Sequence, residues 1–240
     1  MDEAYGVKYK ELYEKHWWWR AREDFILSTL ERIQAKKHRG PILDVGCGDG
    51  LIFDRLSAWG EVEGVETNPL FVSKEGPWRS RIHVCPFDET FRPGKRYSLI
   101  LMLDILEHFF DPLICLRRGV ELLEPNGTLL ITVPAFPCLW TSHDELNHHF
   151  KRYTKTTLTE VTRRAGIEVL SCRYFFQWTF PVKLMVRLKE GFLDASVRPP
   201  KIPPHWVNDT LYRVSKVEQK VFGLLPVPFG SSLILVGGKV

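Results

Sequence analysis

Apolar residues recur with helical spacing over residues 8–38, where Trp18, Phe25, Leu27, Leu30 and Ile33 supply the buried stripe. Lys36, Lys37, His38 and Arg39 gather at the end of that run, as a helix C-terminus favours, and Gly40-Pro41 stops it. A different rhythm follows. PILDVG reads as a short buried strand, then a glycine-rich turn leads into the helical GLIFDRLSAWG. EVEGVET predicts a second strand, RIHVCPFD a third and YSLILML a fourth, which runs into the helical DPLICLRRGVELLEP. GTLLITVP is a fifth strand, KTTLTEVTRRAG a helix closed by a glycine, and IEVLSCRYFF and SSLILVGGK are two more strands. Strands alternating with helical segments predict an α/β fold with a doubly wound, mostly parallel sheet.

Two segments break the alternation. The first, 141-TSHDELNHHFKRYT-154, follows the fifth strand; the second runs from 177 to 230 between the last two strands. Ligands in such sheets lie beyond the carboxyl ends of the strands, where both insertions can emerge. The predicted organisation is an N-terminal helical cap (1–39), a core (40–176 and 231–240), and a lid or substrate insertion (177–230). Within the insertion, 178-WTFPVKLMVRLKEGF-192 reads as a helix starting near Pro181. It places Val182, Met185, Leu188 and Phe192 on one side, with Lys183, Arg187 and Glu190 on another. Such a face suits an anionic membrane surface or packing on its own domain. KIPPHW and LLPVPFG are too rich in proline for long helices and are expected to wrap the lid helix as ordered loop.

At 240 residues the chain holds one sizeable core, and a net charge of +4 points to no specific polyanion. Its five cysteines, Cys47, Cys85, Cys115, Cys138 and Cys172, are scattered and form no C-x-x-C pair, which predicts reduced thiols in a cytoplasm. The charged N-terminus does not read as a signal peptide, and no apolar run approaches the roughly 18 residues of a spanning helix.

The densest chemistry lies in 42-ILDVGCGDG-50. Glycines at 46, 48 and 50 permit a tight turn and a close ligand, and Asp44 stands two residues ahead of the first. A dinucleotide would bring pyrophosphate to a G-x-G-x-x-G turn; here the spacing is G-x-G-x-G, and the Asp44 carboxylate would repel that anion. It suits an ammonium group instead. Glu66, ending the second strand, can accept both hydroxyls of a ribose, and Asp88, after the third, can accept from an adenine amino group. These features favour S-adenosylmethionine over a nicotinamide cofactor.

Together with 104-DILEHFFDP-112 and 125-PNGTLLITVP-134, in this order, these segments make the chain resemble the class I S-adenosylmethionine-dependent methyltransferases. The likeness is to the small-molecule branch that includes quinone-biosynthesis enzymes, and it covers roughly residues 40–175. It implies a seven-stranded sheet in which SSLILVGGK is the antiparallel member. It also implies cofactor contacts from Asp44, Gly46, Cys47, Gly48, Glu66, Thr67 and Asp88, with Leu103, Asp104 and His108 beside the cofactor. In 16-HWWWRAR-22, three consecutive tryptophans cannot share one core, so at least one is expected over the cofactor cleft or a hydrophobic substrate; Arg20 or Arg22 is expected to pair with the methionine carboxylate.

The resemblance puts the histidine-rich stretch on the acceptor side. His143 and His148 are five residues apart, His148 and His149 are adjacent, and Asp144 with His148 supplies only two ligands, so no metal site is expected. Proton removal from a hydroxyl acceptor is the better fit, with His143 first and His148 second as base, Asp144 orienting, and His108 as a further candidate. The expected acceptor is a small or lipid-like molecule methylated on oxygen, with peripheral membrane contact through the lid. No D/N-P-P-Y/F motif follows the fourth strand, which disfavours amino-methylation of DNA, and nucleic acid is not the expected partner. RNA methylation and a non-catalytic cofactor-binding scaffold are the alternatives.

Overall fold

The computed structural model describes residues 3–34, 40–190, 200–223, 225 and 227–239, with side chains from residue 9; the basic run 35–39 and Phe192 lie outside them. The predicted N-terminal helix is two helices, α1 (Glu3–Lys15) and α2 (Trp17–Gln34). The break at His16 is held from far along the chain. Asn208 Oδ1 accepts from the Trp17 amide at 2.8 Å, and its Nδ2 donates to the Lys15 carbonyl at 2.8 Å.

The core alternates as the sequence predicts. In order it contains β1 (Ile42–Val45), α3 (Phe53–Leu56), β2 (Val62–Glu66), β3 (Ile82–Val84), β4 (Tyr97–Leu103), α4 (Pro112–Leu122) and β5 (Leu123–Pro134). Then come α5 (Ser142–Leu146), α6 (Lys155–Arg164), β6 (Ile167–Phe175), α7 (Thr179–Glu190), α8 (His205–Phe222) and β7 (Ser232–Lys239). Asp111 caps α4 through the Leu113 amide, and Thr154 caps α6 through the Thr157 amide. The strands form one seven-stranded sheet in the order β3-β2-β1-β4-β5-β7-β6. β7 runs antiparallel to both neighbours, and the other pairings are parallel. The order reverses between β1 and β4, which opens a crevice at their carboxyl ends.

Both faces of the sheet are covered, as alternating buried side chains require. Leu43, Ile100, Met102, Leu129 and Leu235 pack toward α4 and α6. Ile42, Leu99, Leu101, Leu130 and Ile234 pack toward Phe25, Ile26 and Leu30 of α2 and toward α3.

The insertion departs from expectation. A helix does start at Thr179, two residues before Pro181, but an 18-residue helix, α8, that the sequence reading did not identify begins at His205 and Trp206, inside the KIPPHW stretch expected as loop. Pro203 and Pro204 precede its first turn, where proline costs nothing, rather than interrupting it. α8 lies along α2, not around α7: Tyr212 donates to Asp24 at 2.6 Å, Lys216 pairs with Asp24 at 3.0 Å and Gln219 donates to the Ala21 carbonyl at 2.8 Å. On α7 the apolar residues Val182, Met185, Val186 and Leu188 face outward with Arg187 and Lys189, while Lys183 turns inward. Among the described residues, no helix is long and apolar enough to cross a membrane.

Candidate active site

A cavity of about 870 Å³ opens at the carboxyl ends of β1, β2, β4 and β5, a size ordinary for a site holding a small molecule. Its floor is the turn after β1. Gly46, with φ +72°, lies so close to Ile105 that a Cβ would meet its Cδ1 at 2.1 Å. Gly48, with φ +52°, is different: a Cβ there would find only the Phe71 carbonyl, 3.9 Å away, so its face is open to a ligand. The Gly48 amide donates to Glu66 Oε2 at 3.0 Å, and the Asn68 amide donates to Oε1 at 2.9 Å. Each Glu66 oxygen therefore keeps a lone pair for the cavity.

Asp44 ends buried beneath this turn. Burial pushes its carboxyl up to about 7, opposed by Arg22 and reinforced by Glu66. Arg22 is also buried, 2.8 Å from Asp104 and 3.0 Å from Thr132 Oγ1, which in turn donates to Asp104 at 2.9 Å. Asp104 sits at φ 58° at the end of β4, a backbone state that costs on the order of 1–3 kcal/mol and clusters at functional sites. Gly46, Cys47, Thr67, Asp88 and Leu103 also line the cavity, while Asp88 accepts from the Thr90 amide at 2.8 Å. Burial, foremost, and the carboxylates of Asp44 and Glu66 push the Cys47 thiol far up, so it presents a neutral surface.

Arg20 does not join the cavity, contrary to expectation. Its guanidinium lies 4.2 Å over the Tyr212 ring and 3.5 Å from Asp209, on the α8 side. Residues two apart on a helix point in nearly opposite directions, so Arg22 reaches the cavity and Arg20 cannot. The tryptophans divide in the same way. Trp18 and Trp19 line the cavity, whereas Trp17 packs on Phe176 and Trp178.

The cavity wall that follows β5 corrects the histidine assignments. Asp144 is fully buried; it accepts from Arg152 Nε and Nη2, both at 2.8 Å, from the Thr141 amide at 2.9 Å and from His149 Nδ1 at 2.9 Å. Burial alone would raise its carboxyl, but the bonds from His149 and Arg152 outweigh that and hold it well below the usual carboxylate range. Asp144 thus orients His149, not His143. His143 lines the cavity with Nε2 3.2 Å from Asn147 Nδ2; its surface stays exposed at the cavity wall, and crowding by that wall desolvates the ring enough to bring its pKa down to about 4. His148 is exposed at φ 55° and does not line the cavity. That left-handed residue ends the turn of α5 and swings His149 back, so that the His149 amide meets the Asp144 carbonyl at 2.9 Å. No feature of the sequence marks a left-handed backbone at a histidine, which is why His149 is not among the expected site residues.

His108 lines the cavity with its ring centroid 4.8 Å from that of His149, and burial with a smaller push from His149 lowers its pKa to about 4. Beside it Glu107 is 1% exposed, and neither carboxyl oxygen has a hydrogen-bond partner among the described residues. Burial, foremost, and Asp104 push the Glu107 carboxyl well up. Lys183 reaches the cavity from α7, its pKa lowered to about 8 by burial and by Arg152. Tyr153 anchors the wall: its hydroxyl donates to the Leu106 carbonyl at 3.0 Å and its amide to the Pro134 carbonyl at 3.0 Å.

Residues 18–172, more than half of the chain, match a family described as Methyltransferase domain. A ubiquinone biosynthesis O-methyltransferase of Bradyrhizobium diazoefficiens is 29% identical over 97 residues, a stretch that spans 38% of this chain and only 38% of that protein. The same-named protein of Xanthomonas campestris pv. campestris is 26% identical over 182 residues, covering 66% of this chain and 76% of its own. Among solved structures, a SAM dependent methyltransferase from Archaeoglobus fulgidus superposes with a TM-score of 0.56 at 15% identity, over 90% of this chain and 94% of that one. Phosphoethanolamine N-methyltransferase 2 of Haemonchus contortus, solved with S-adenosyl-L-methionine, gives 0.55 at 16% identity, over 89% of this chain and 51% of its own. At such identities the structures establish the fold.

Proposed function

The chain belongs to the methyltransferase domain family and is a class I S-adenosylmethionine-dependent methyltransferase, and from that premise we propose that it methylates an oxygen of a small, lipid-like acceptor. The observation that carries this reading is one continuous cavity with two unlike ends. One end is the glycine turn with Asp44 and Glu66; the other is walled by His108, His143 and His149 with the apolar Phe109 and Ile114. The relatives named O-methyltransferases support the same choice of acceptor atom.

The cofactor fits the first end. The open face of Gly48 leaves room for its backbone-side approach, and a buried Asp44 with a raised pKa is a carboxyl awaiting a cation. When bound, the cofactor supplies an electrophilic methyl on a sulfonium, open to in-line displacement. In this reading Asp44 takes the ammonium, Glu66 the ribose hydroxyls, and Arg22 the methionine carboxylate. Thr67, Asp88, Leu103 and Asp104 border the rest. Trp18 and Trp19 cover the cleft and exclude water. His143, neutral above a pH of about 4, can take the acceptor's proton, and positioning by the wall does the remaining work.

In the same reading 1–39 and 177–230 are covers on the core of 40–176 and 231–240. Lys183 ties α7 to the cavity, and the outward Val182, Met185, Val186 and Leu188 with Arg187 and Lys189 suit an anionic lipid surface that delivers the acceptor. The direct test incubates a cell extract with the protein and deuterium-methyl-labelled cofactor, then searches the lipid fraction by mass spectrometry. A labelled methyl ether is the expected product. Label appearing only in RNA or as an N-methyl compound, or no label despite bound S-adenosylhomocysteine, would refute the proposal.

A further inference from the structure

We propose that the acceptor carries one permanent negative charge on oxygen, a carboxylate or a phosphodiester, and that Lys183 binds it beside the hydroxyl to be methylated. This assignment rests on the oxygen-methylation reading and adds to it the charge of the substrate. The acceptor end of the cavity holds a cation with no counterion. Asp104 is taken by Arg22 at 2.8 Å, and Asp144 by Arg152 and His149. Desolvation by the cavity wall favours the neutral forms of Glu107, His108 and His143. Lys183 is left over: it reaches this end from α7 and makes no hydrogen bond or ion pair among the described residues. Burial and the nearby Arg152 work against its charge, and Asp144 and Asp104 offset them only in part. An anion bound from the cavity supplies the missing partner.

The helix that carries this lysine is docked at both ends before any acceptor arrives. At its start Thr179 donates to the Phe176 carbonyl at 2.8 Å, and its hydroxyl oxygen lies 2.6 Å from Ser231 Oγ. At its end Glu190 accepts from the Ser142 amide at 3.1 Å and from the Ser142 hydroxyl at 2.8 Å. Ser142 opens α5, the helix that bears His143, so α7 is tied to the wall holding the candidate base. After desolvation, the charge that lowers the His143 ring most is that of Lys183, which sets the cation beside that base. A bound anion therefore lies close to the reacting hydroxyl, and the fixed helix reduces the ordering cost of binding it. The Arg152 fork is already occupied, with Nε and Nη2 on Asp144 and Nη1 on the Ala135 carbonyl at 3.2 Å. A doubly charged phosphate monoester would call on such a fork, whereas one ammonium neutralises one negative charge. Phe109 and Ile114 in the same wall suit the apolar remainder of the molecule.

The anion itself does not react. The hydroxyl proton passes to His143, the oxygen lone pair forms the bond to the methyl carbon, and the electron pair of the breaking C–S bond stays on sulfur. A neutral thioether, a methyl ether and one proton on His143 result, and the group on Lys183 keeps its charge from substrate to product. Lys183 is thus a specificity and positioning residue for the acceptor.

Full-length protein loaded with S-adenosylhomocysteine is titrated by calorimetry with octanoate, octanamide and octyl methyl phosphate. The amide matches the carboxylate in size and lacks its charge. Wild type should bind one of the two anions at least about 10-fold more tightly than the amide, as a charged hydrogen bond contributes, and the better anion identifies carboxylate or phosphodiester. Lys183→Met should remove that preference, and Lys183→Arg should keep most of it. Circular dichroism identifies a variant that fails to fold, in which case Lys183→Gln replaces Lys183→Met. Equal binding of amide and anions by wild type, or an anion preference that survives in the folded Lys183→Met protein, overturns the proposal. A loss of S-adenosylhomocysteine affinity in that variant by about 10-fold or more also overturns it, because Lys183 would then serve the methionine carboxylate. The labelled product from the extract separates this assignment from the reading beneath it. An alkali-stable methyl ether retained on an anion exchanger is expected. A methyl ether that passes through overturns the charge of the acceptor alone, and absence of any methyl ether overturns the oxygen-methylation reading.

Discussion

Asp44→Asn separates what the Asp44 carboxylate does for the ligand from what it does to the fold. The folded carboxyl sits near 7 against an ordinary value of 3.8, because burial disfavours its charge more than Arg22 favours it. Between those values the folded protein holds a proton that the unfolded chain has lost. The contribution to stability is therefore fully present below about pH 4 and is lost as pH rises through 7. Three pKa units at about 1.4 kcal/mol each put that loss at about 4 kcal/mol, as an upper figure. The asparagine carries no such proton, so its melting temperature relative to wild type should climb between pH 5 and pH 8. At about 2–4 °C per kcal/mol for a chain of this size, the climb amounts to several degrees. Ligand binding should move the other way. S-adenosylhomocysteine at about 100 times its Kd stabilises wild type by about 2.7 kcal/mol, while the variant, lacking the anion for the ammonium, should show little shift. Scanning calorimetry of both proteins across that pH range, with and without ligand, is the assay. A stability difference that does not change with pH would show that Asp44 is ionised in the free protein. An unchanged ligand-induced shift in the variant would show that it does not contact the ammonium.

Arg22→Ala should weaken S-adenosylhomocysteine about 10–100-fold, the worth of a charged hydrogen bond, whereas Arg20→Ala, facing α8, should leave calorimetric affinity unchanged. Arg152→Ala should cost about 3–5 kcal/mol in urea unfolding, because it strips two bonds from a buried Asp144; a loss below 1 kcal/mol would mean that His149 and Thr141 together satisfy that carboxylate. Met185→Asp should leave stability within about 0.5 kcal/mol, since Met185 is 62% exposed, yet abolish co-sedimentation with anionic vesicles at low salt. Absence of wild-type co-sedimentation would remove the lipid-surface role of α7.

The sheet was legible in the sequence because each of its signals is local. A buried strand needs a short apolar run, and a helix needs a period and an end. A turn that approaches a ligand needs glycine, so ILDVGCGDG and the acids at 44 and 66, which line one end of the cavity, were legible as a candidate site. The acceptor end depended on contacts between residues far apart or on backbone states that side-chain type does not announce. His149 faces Asp144 because His148 is left-handed, and Glu107 faces both histidines because β4 and β5 are neighbours in the sheet. The choice between Arg20 and Arg22 was open in the sequence, since both lie on one helix; docking of α8 on α2 assigned one to Asp209 and left the other for the cavity. α8 itself was hidden behind the prolines at its start, which mark a helix's first turn as readily as a loop. Local pattern thus set the elements and the glycine turn that floors the cavity. The partners of the buried charges, and with them the chemistry of the acceptor wall, were decided only when long-range packing removed those charges from water and left each one the neighbour the fold supplied.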